Sequence, residues 1–403
     1  MISRRTVLGG VAGLAATGVS PAWADTPGVT STEIKIGNTM PYSGPMSAYG
    51  VAGTLEATFF RVVNDAGGIA GRKIRFISYD DGYSPPKSLE QVRRLIEVDQ
   101  VAFLFSTLGT PTNSAFVGYV NGKRVPHLFL STGADKWGDY KQYPWTMGFQ
   151  PSYRTEAQIY AKHILENMPD PKVAILYQNG DFGKDYVAGV RDVFGERADK
   201  LVVATASYEP DDPTVDSQIV SLQASGANVL VNAAAARPAA QSIRKIGALR
   251  WRPALHFLTN VSTSVGSVMN PAGAENGIDI ISADFVKDPL DPAFKDDPGM
   301  QEWRSFMAKH MPRADITDNN YVFAYAASKA VLQVLRQCGD DFSRENIMRQ
   351  AENLHKLVIP TLRPGITVST SHANHRPIRS MQLVRFDGKT WVGFGQVVQA
   401  AET

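Results

Sequence analysis

Cysteine is almost missing from this chain: Cys338 is the single thiol in 403 residues. No internal disulfide can form, so the fold must hold by burial even in an oxidising compartment. Cys338 closes the amphipathic run Val331–Gln337 with nothing nearby to lower its pKa, and reads as a semi-buried structural residue. A charge excess is also missing. Forty-one Lys+Arg face 39 Asp+Glu, which leaves no global field to gather nucleic acid or anionic lipid. No apolar run reaches the ~20 residues of a bilayer span. Catalytic signatures are absent as well: no G-x-S-x-G, no P-loop, no H-E-x-x-H and no glycine-rich dinucleotide loop after the first strand. His372 and His375 stand without Cys or carboxylate neighbours in sequence and read as a solvated loop, not a zinc site. Asp80-Asp81 lacks further oxygen donors at calcium spacing and reads as a polar strand end turning at Gly82. The expectation is a non-enzyme without cofactor or metal.

The first residues carry an address. Arg4-Arg5 precede an uncharged Gly/Ala-rich stretch, Val7–Val19, and Ala22-Trp23-Ala24 supplies the small residues of a cleavage site. Residues 1–24 therefore read as a cleaved signal for twin-arginine export to the periplasm. Arg4 and Arg5 are the only charges in that stretch, so the remainder balances at 39 of each sign.

Beyond the signal, short β-rich runs alternate with runs of helical period. Glu33–Thr39, Lys73–Tyr79, Val101–Phe105 and Val125–Leu130 read as strands, separated by apolar stripes such as Val51, Leu55, Phe59, Val62 and Leu89, Val92, Leu95, Ile96. The rhythm restarts at Ala157 and runs through strands Val173–Tyr177, Leu201–Tyr208, Asn228–Ala233 and Ala254–Leu258. It ends in three helical runs and two strands joined by an Asp387-Gly388-Lys389 turn. Alternation of this kind defines an α/β fold with parallel sheets covered on both faces. Single cores stop growing at ~250–300 residues, which predicts two doubly wound lobes.

In such sheets ligands bind beyond the carboxyl ends of the strands. Six loops qualify: 41–50, 108–113, 131–135, 178–183, 234–237 and 259–264. Gly109 and Thr110 open a helix at Pro111, where unpaired N–H groups and the helix dipole suit an anionic oxygen, although a plain structural cap explains the same residues. Thr132, Gly133 and Ala134 are small enough for backbone to approach a ligand. Tyr42, Tyr49 and Phe182 offer flat apolar walls. Neither glycine-rich segment decides function alone.

Together, segments spread over the chain resemble the periplasmic solute-binding proteins typified by leucine/isoleucine/valine-binding protein, which serve ABC importers. They are Met40-Pro41-Tyr42-Ser43-Gly44-Pro45 with Ala48-Tyr49-Gly50, Val63-Asn64-Asp65-Ala66-Gly67-Gly68-Ile69-Ala70-Gly71-Arg72, Asp80-Asp81, Asp181-Phe182-Gly183-Lys184 and Asn320-Tyr321-Val322-Phe323-Ala324-Tyr325-Ala326-Ala327. The resemblance implies a type I periplasmic-binding fold, two lobes joined by a three-crossover hinge. Residues 25–150 plus 284–365 would form the first lobe, and 151–283 plus 366–403 the second. It implies a monomer that hands a small solute to an inner-membrane permease and ATPase complex. By the same resemblance Tyr49 lines the first-lobe side, Thr110 holds a ligand carboxylate, Gly133 gives a backbone contact and Phe182 walls the second-lobe side. Arg237 falls where amino-acid binders have a tyrosine. Near Asn260-Val261 they carry a carboxylate for the ligand's ammonium, and this chain has none. An organic acid, held by Thr110 and Arg237 against an aromatic wall, is therefore expected ahead of an amino acid. The alternatives are amino-acid import, with Asp135 or Asp181 taking the ammonium and Arg237 in solvent, and a periplasmic sensory module.

Overall fold

The computed structural model describes residues 26–399, so the export signal read over 1–24 lies outside the described residues. Five strands, β1 (Glu33–Met40), β2 (Lys73–Asp80), β3 (Phe103–Phe105), β4 (His127–Leu130) and β5 (Thr146–Gly148), form a parallel sheet in the order β2-β1-β3-β4-β5. Helices α1 (Val51–Asp65), α2 (Pro85–Arg93) and α3 (Thr110–Gly122) connect the first four. β3 and β4 are buried along their whole length, as expected of parallel strands covered on both faces, whereas the edge strand β2 is only partly covered.

The second sheet has seven strands: β6 (Val173–Gln178), β7 (Val202–Tyr208), β8 (Val229–Ala233), β9 (Leu255–Leu258), β10 (Ile281–Asp284), β11 (Ser380–Phe386) and β12 (Trp391–Gln399). Their order is β12-β11-β10-β9-β8-β6-β7, parallel through β10 and antiparallel at β11 and β12. Six helices accompany it: α4 (Tyr153–Asn167), α5 (Asp181–Phe194), α6 (Ala198–Leu201), α7 (Asp216–Ala224), α8 (Ala236–Ala248) and α9 (Asn270–Ala272).

Three further helices, α10 (Pro298–His310), α11 (Asn320–Gln337) and α12 (Arg344–Ala351), return to the first sheet. Phe59 of α1 packs on Phe306 and Tyr325 with ring centroids 6.0 and 5.5 Å apart, and Arg344 donates to the Val101 and Ala102 carbonyls. The chain thus passes between two α/β lobes near 149–152, 285–287 and 363–379. The cleft lies where these passages meet the carboxyl ends of the strands.

Three local readings change. β5 escapes the sequence because its three residues, Thr-Met-Gly, carry neither alternation nor an apolar run. His375 is not solvated: it is 1% exposed, with Nδ1 2.8 Å from the Thr146 carbonyl and Nε2 3.0 Å from a Glu352 carboxylate that also meets His372. Its partner was invisible because Glu352 lies twenty-three residues upstream. Cys338 is buried rather than half-buried, and burial pushes its thiol up to about 12, which keeps it inert.

Candidate functional site

The loops that follow the strands of both sheets converge on one cavity enclosing about 750 Å³, solvent at its mouth included. Local backbone features aim them. Phe129 takes a left-handed φ of +56° at the point where the β4–β5 register slips, which turns Ser131 into the cavity. Ser106 is left-handed too, and its Oγ lies 2.7 Å from that of Ser131. Asp80 and Asp81 shape the turn after β2. Asp80 accepts from the Ser43 and Gly82 amides at 3.1 and 3.0 Å, and Asp81 from the Tyr83 amide at 2.9 Å and the Ser88 hydroxyl at 2.7 Å. That turn delivers Tyr83 to the cavity wall. Among the described residues no group of three His, Cys, Asp or Glu is placed to hold a metal ion.

Of the residues expected from sequence, Tyr49, Gly109, Thr110, Phe182 and Asn260 line the cavity. The other five do not. Thr132 sits one layer behind the wall, its Oγ1 2.6 Å from Thr110 Oγ1, so it orients the hydroxyl it was expected to accompany. Gly133 is a close-approach point for the first passage. Its carbonyl accepts from the Tyr153 amide at 2.7 Å, and a Cβ there would meet the Pro151 carbonyl at 2.6 Å. Ala134 is buried in the core beside it. Tyr42 lies outside the cavity with its hydroxyl 2.6 Å from Ser78 Oγ and its ring against Gly53. Arg237 is the largest correction. It is exposed on the first turn of α8 and donates to the Pro213 carbonyl at 3.2 Å. The helix turns Ala236 inward and Arg237 outward, so the organic-acid argument loses its cation. Arg237→Ala is accordingly expected to change ligand affinity by less than about 0.5 kcal/mol by calorimetry, the scale of a solvated surface charge.

The lining that sequence did not single out is more telling. Tyr83, Tyr153, Phe285 and Phe323 join Tyr49 and Phe182, giving the wall six aromatic side chains. No Lys, Arg or His lines it among the described residues, and Asp284 is the one acid. Burial raises the Asp284 carboxyl to about 6, against the pull of Arg363 and of the Val286 and Phe285 amides it accepts from at 3.1 and 2.8 Å. Two buried amide donors, Gln150 Nε2 and Asn260 Nδ2, find no hydrogen-bond partner among the described residues. Both residues line the cavity, at 8% and 7% exposure. A buried donor left unmet costs about 1–3 kcal/mol, so both call for an acceptor oxygen. The amino end of α3, capped by Gly109 at φ +99°, adds the positive end of a helix dipole.

The lobes are held together over this cavity by the protein's own contacts. The Tyr49 hydroxyl accepts from the Ala236 amide at 2.8 Å, with burial raising its pKa to about 12. At the rim, Lys136 pairs with Asp181 at 2.6 Å, and the Asp135 amide donates to Asp185 at 2.8 Å.

Two α/β lobes closing on an aromatic cavity define a solute-binding protein. The family model for periplasmic binding protein matches residues 33–390, and the chain belongs to that family. Its members are the substrate-binding components of ABC transporters. "Leu/Ile/Val-binding protein homolog 7" of Brucella suis biovar 1 (strain 1330) is 26% identical over 325 residues, 76% of this chain and 78% of the relative. A branched-chain amino acid ABC transporter structure from Thermus thermophilus with bound valine superposes with a TM-score of 0.82 at 14% identity, covering 93% of this chain and 98% of that one. A solute-binding protein from R. palustris in complex with 4-hydroxybenzoate gives 0.77 at 17% identity, covering 92% and 98%.

Proposed function

We propose that this protein captures a small aromatic carboxylate in the periplasm and presents it to an ABC permease. The observation that carries the reading is the pair of unmet donors, Gln150 Nε2 and Asn260 Nδ2, set in an aromatic wall beside the α3 amino end. A flat ring fits the wall, and its carboxylate and ring hydroxyl supply acceptor oxygens. The R. palustris complex with 4-hydroxybenzoate supports the same class. The lobes expected from the sequence, 25–150 plus 284–365 and 151–283 plus 366–403, then close on the ligand from either side. The family model and the valine-bound neighbour, both of binding proteins, support a binding role without turnover.

One observation favours an amino acid instead: Asp284 could pair with an ammonium while Thr110 takes the carboxylate. Calorimetry with 4-hydroxybenzoate, 3,4-dihydroxybenzoate, valine and leucine separates the two. Submicromolar valine or leucine binding with no response to either benzoate would reject the aromatic-acid reading.

Export by the twin-arginine route belongs to the same proposal. Replacing Arg4 and Arg5 with lysine should leave precursor in the cytoplasm. Normal periplasmic accumulation of that variant would rule the route out.

A further inference from the structure

Beneath Asn260 lies an acid outside the cavity lining. Glu156, one turn into α4, is fully buried, and its carboxyl meets three groups. Oε1 accepts the Asn260 amide at 2.8 Å and contacts the Tyr160 hydroxyl; Oε2 lies 2.7 Å from the Tyr186 hydroxyl. Each tyrosine reaches onward. Tyr160 Oη lies 2.8 Å from the Leu258 carbonyl and 3.2 Å from the Ala283 amide, and Tyr186 Oη contacts Thr259 Oγ1. The cluster thus ties the ends of β9 and β10, from which Asn260 and Asp284 enter the cavity.

A count of protons favours the neutral carboxyl. Tyr160 has one proton and two neighbours placed to accept it, the Leu258 carbonyl and Glu156 Oε1, and the carbonyl can never donate in return. Where the Tyr160 proton serves Leu258, a proton on Glu156 supplies the contact between Tyr160 Oη and Glu156 Oε1. A carboxylic hydroxyl can donate to Tyr160 while accepting from the Asn260 amide, whereas a carboxylate leaves two acceptors competing for one proton. Tyr160 on the same helix, Tyr186 on α5 and Asp284 at the end of β10 are the titratable groups that act on it, and none is a cation.

Building on the ligand reading above, we infer that Glu156 is a positioning residue that, as the neutral acid, holds the Asn260 backbone and locks the 258–260 turn so that the Asn260 side-chain Nδ2 is held ready for the ligand's acceptor oxygen. Burial raises the carboxyl to about 8, so the acid form prevails at neutral pH. Its share of stability is complete below the ordinary carboxyl range and lost as pH rises through about 8.

Infrared difference spectra between the wild type and Glu156→Gln test this without any ligand. A protonated-carboxyl band at about pH 7 that fades as pH rises through about 8 is expected, and a carboxylate band alone at pH 7 overturns the inference. The buried acid Glu56 is present in both proteins and cancels. With 4-hydroxybenzoate as probe, Glu156→Gln and Tyr160→Phe should each raise Kd tenfold or more. Asn260→Ala combined with either should add little further loss, because the residues act as one unit. Additive losses, or unchanged affinity in both single variants, overturn it; Tyr160→Phe serves if Glu156→Gln does not fold. If wild-type protein takes up no 4-hydroxybenzoate, the ligand reading fails while the infrared band still decides the state of Glu156.

Discussion

Trp391→Ala is expected to lower unfolding free energy by about 3–5 kcal/mol, the cost of emptying a large fully packed aromatic site. Trp391 is entirely buried at the start of β12, its ring 5.3 Å from that of Phe386. Its indole N–H donates to the Thr263 carbonyl at 2.6 Å, and its amide donates to Asp288 at 3.2 Å. The last strand therefore pins the 260–263 turn that presents Asn260 and Val261 to the cavity. Denaturant titration measures the loss, and calorimetry should show weaker ligand binding at temperatures where the variant is still folded. A stability loss below about 1 kcal/mol would mean the site collapses around the deletion. Trp391→Phe should recover part of the packing but not the bond to Thr263.

Gly109→Ala is expected to raise Kd for 4-hydroxybenzoate at least about tenfold, or about 1.4 kcal/mol. A Cβ there would stand 2.5 Å from Tyr83 Cε2 and 2.7 Å from Thr112 Oγ1, in backbone at φ +99°. The Tyr83 ring must move into the cavity or the α3 amino end must shift, and either spoils the ligand surface. Gly67→Ala is the control. It has φ +111° but nothing within 4 Å, so it carries the strain without the collision. It should destabilise the fold by about 1–3 kcal/mol and leave Kd unchanged. Equal affinity in the two variants would place Gly109 outside the binding machinery.

The architecture was legible because its signal is periodic. Buried parallel strands announce themselves as apolar runs, and α1 and α11 as stripes, so most strands of both sheets are legible; β3 is as short as β5 but is read from its apolar Phe-Leu-Phe, which the Thr-Met-Gly of β5 lacks. Loop positions followed from topology, since ligands gather at strand carboxyl ends. Which side chain of a loop faces inward did not follow. Arg237 and Ala236 are neighbours on one helical turn, and their opposite directions are set by how α8 docks. Gln150, Tyr153 and Asp284 carry no motif. They matter because they sit where the chain passes between lobes, and the lobe boundaries at 150 and 284 implied by the family resemblance were the one hint. Nothing in the sequence marks Glu156; its role depends on Tyr160 one turn along the same helix and on Tyr186, which only the packing of α5 brings to it.

The rim contacts between Lys136 and Asp181, and between the Asp135 amide and Asp185, have a consequence for how such a protein can change over time. Neither pair lines the cavity, yet each bridges the two lobes, so in the proposed clamp each favours the closed form. Weakening one makes closure harder by the same amount whatever molecule lies inside, so every ligand loses the same factor in affinity. Avidity and selectivity are thereby written on different residues. Drift at the rim can retune the concentration at which the protein fills, matching a richer or poorer habitat, without any change in what it recognises.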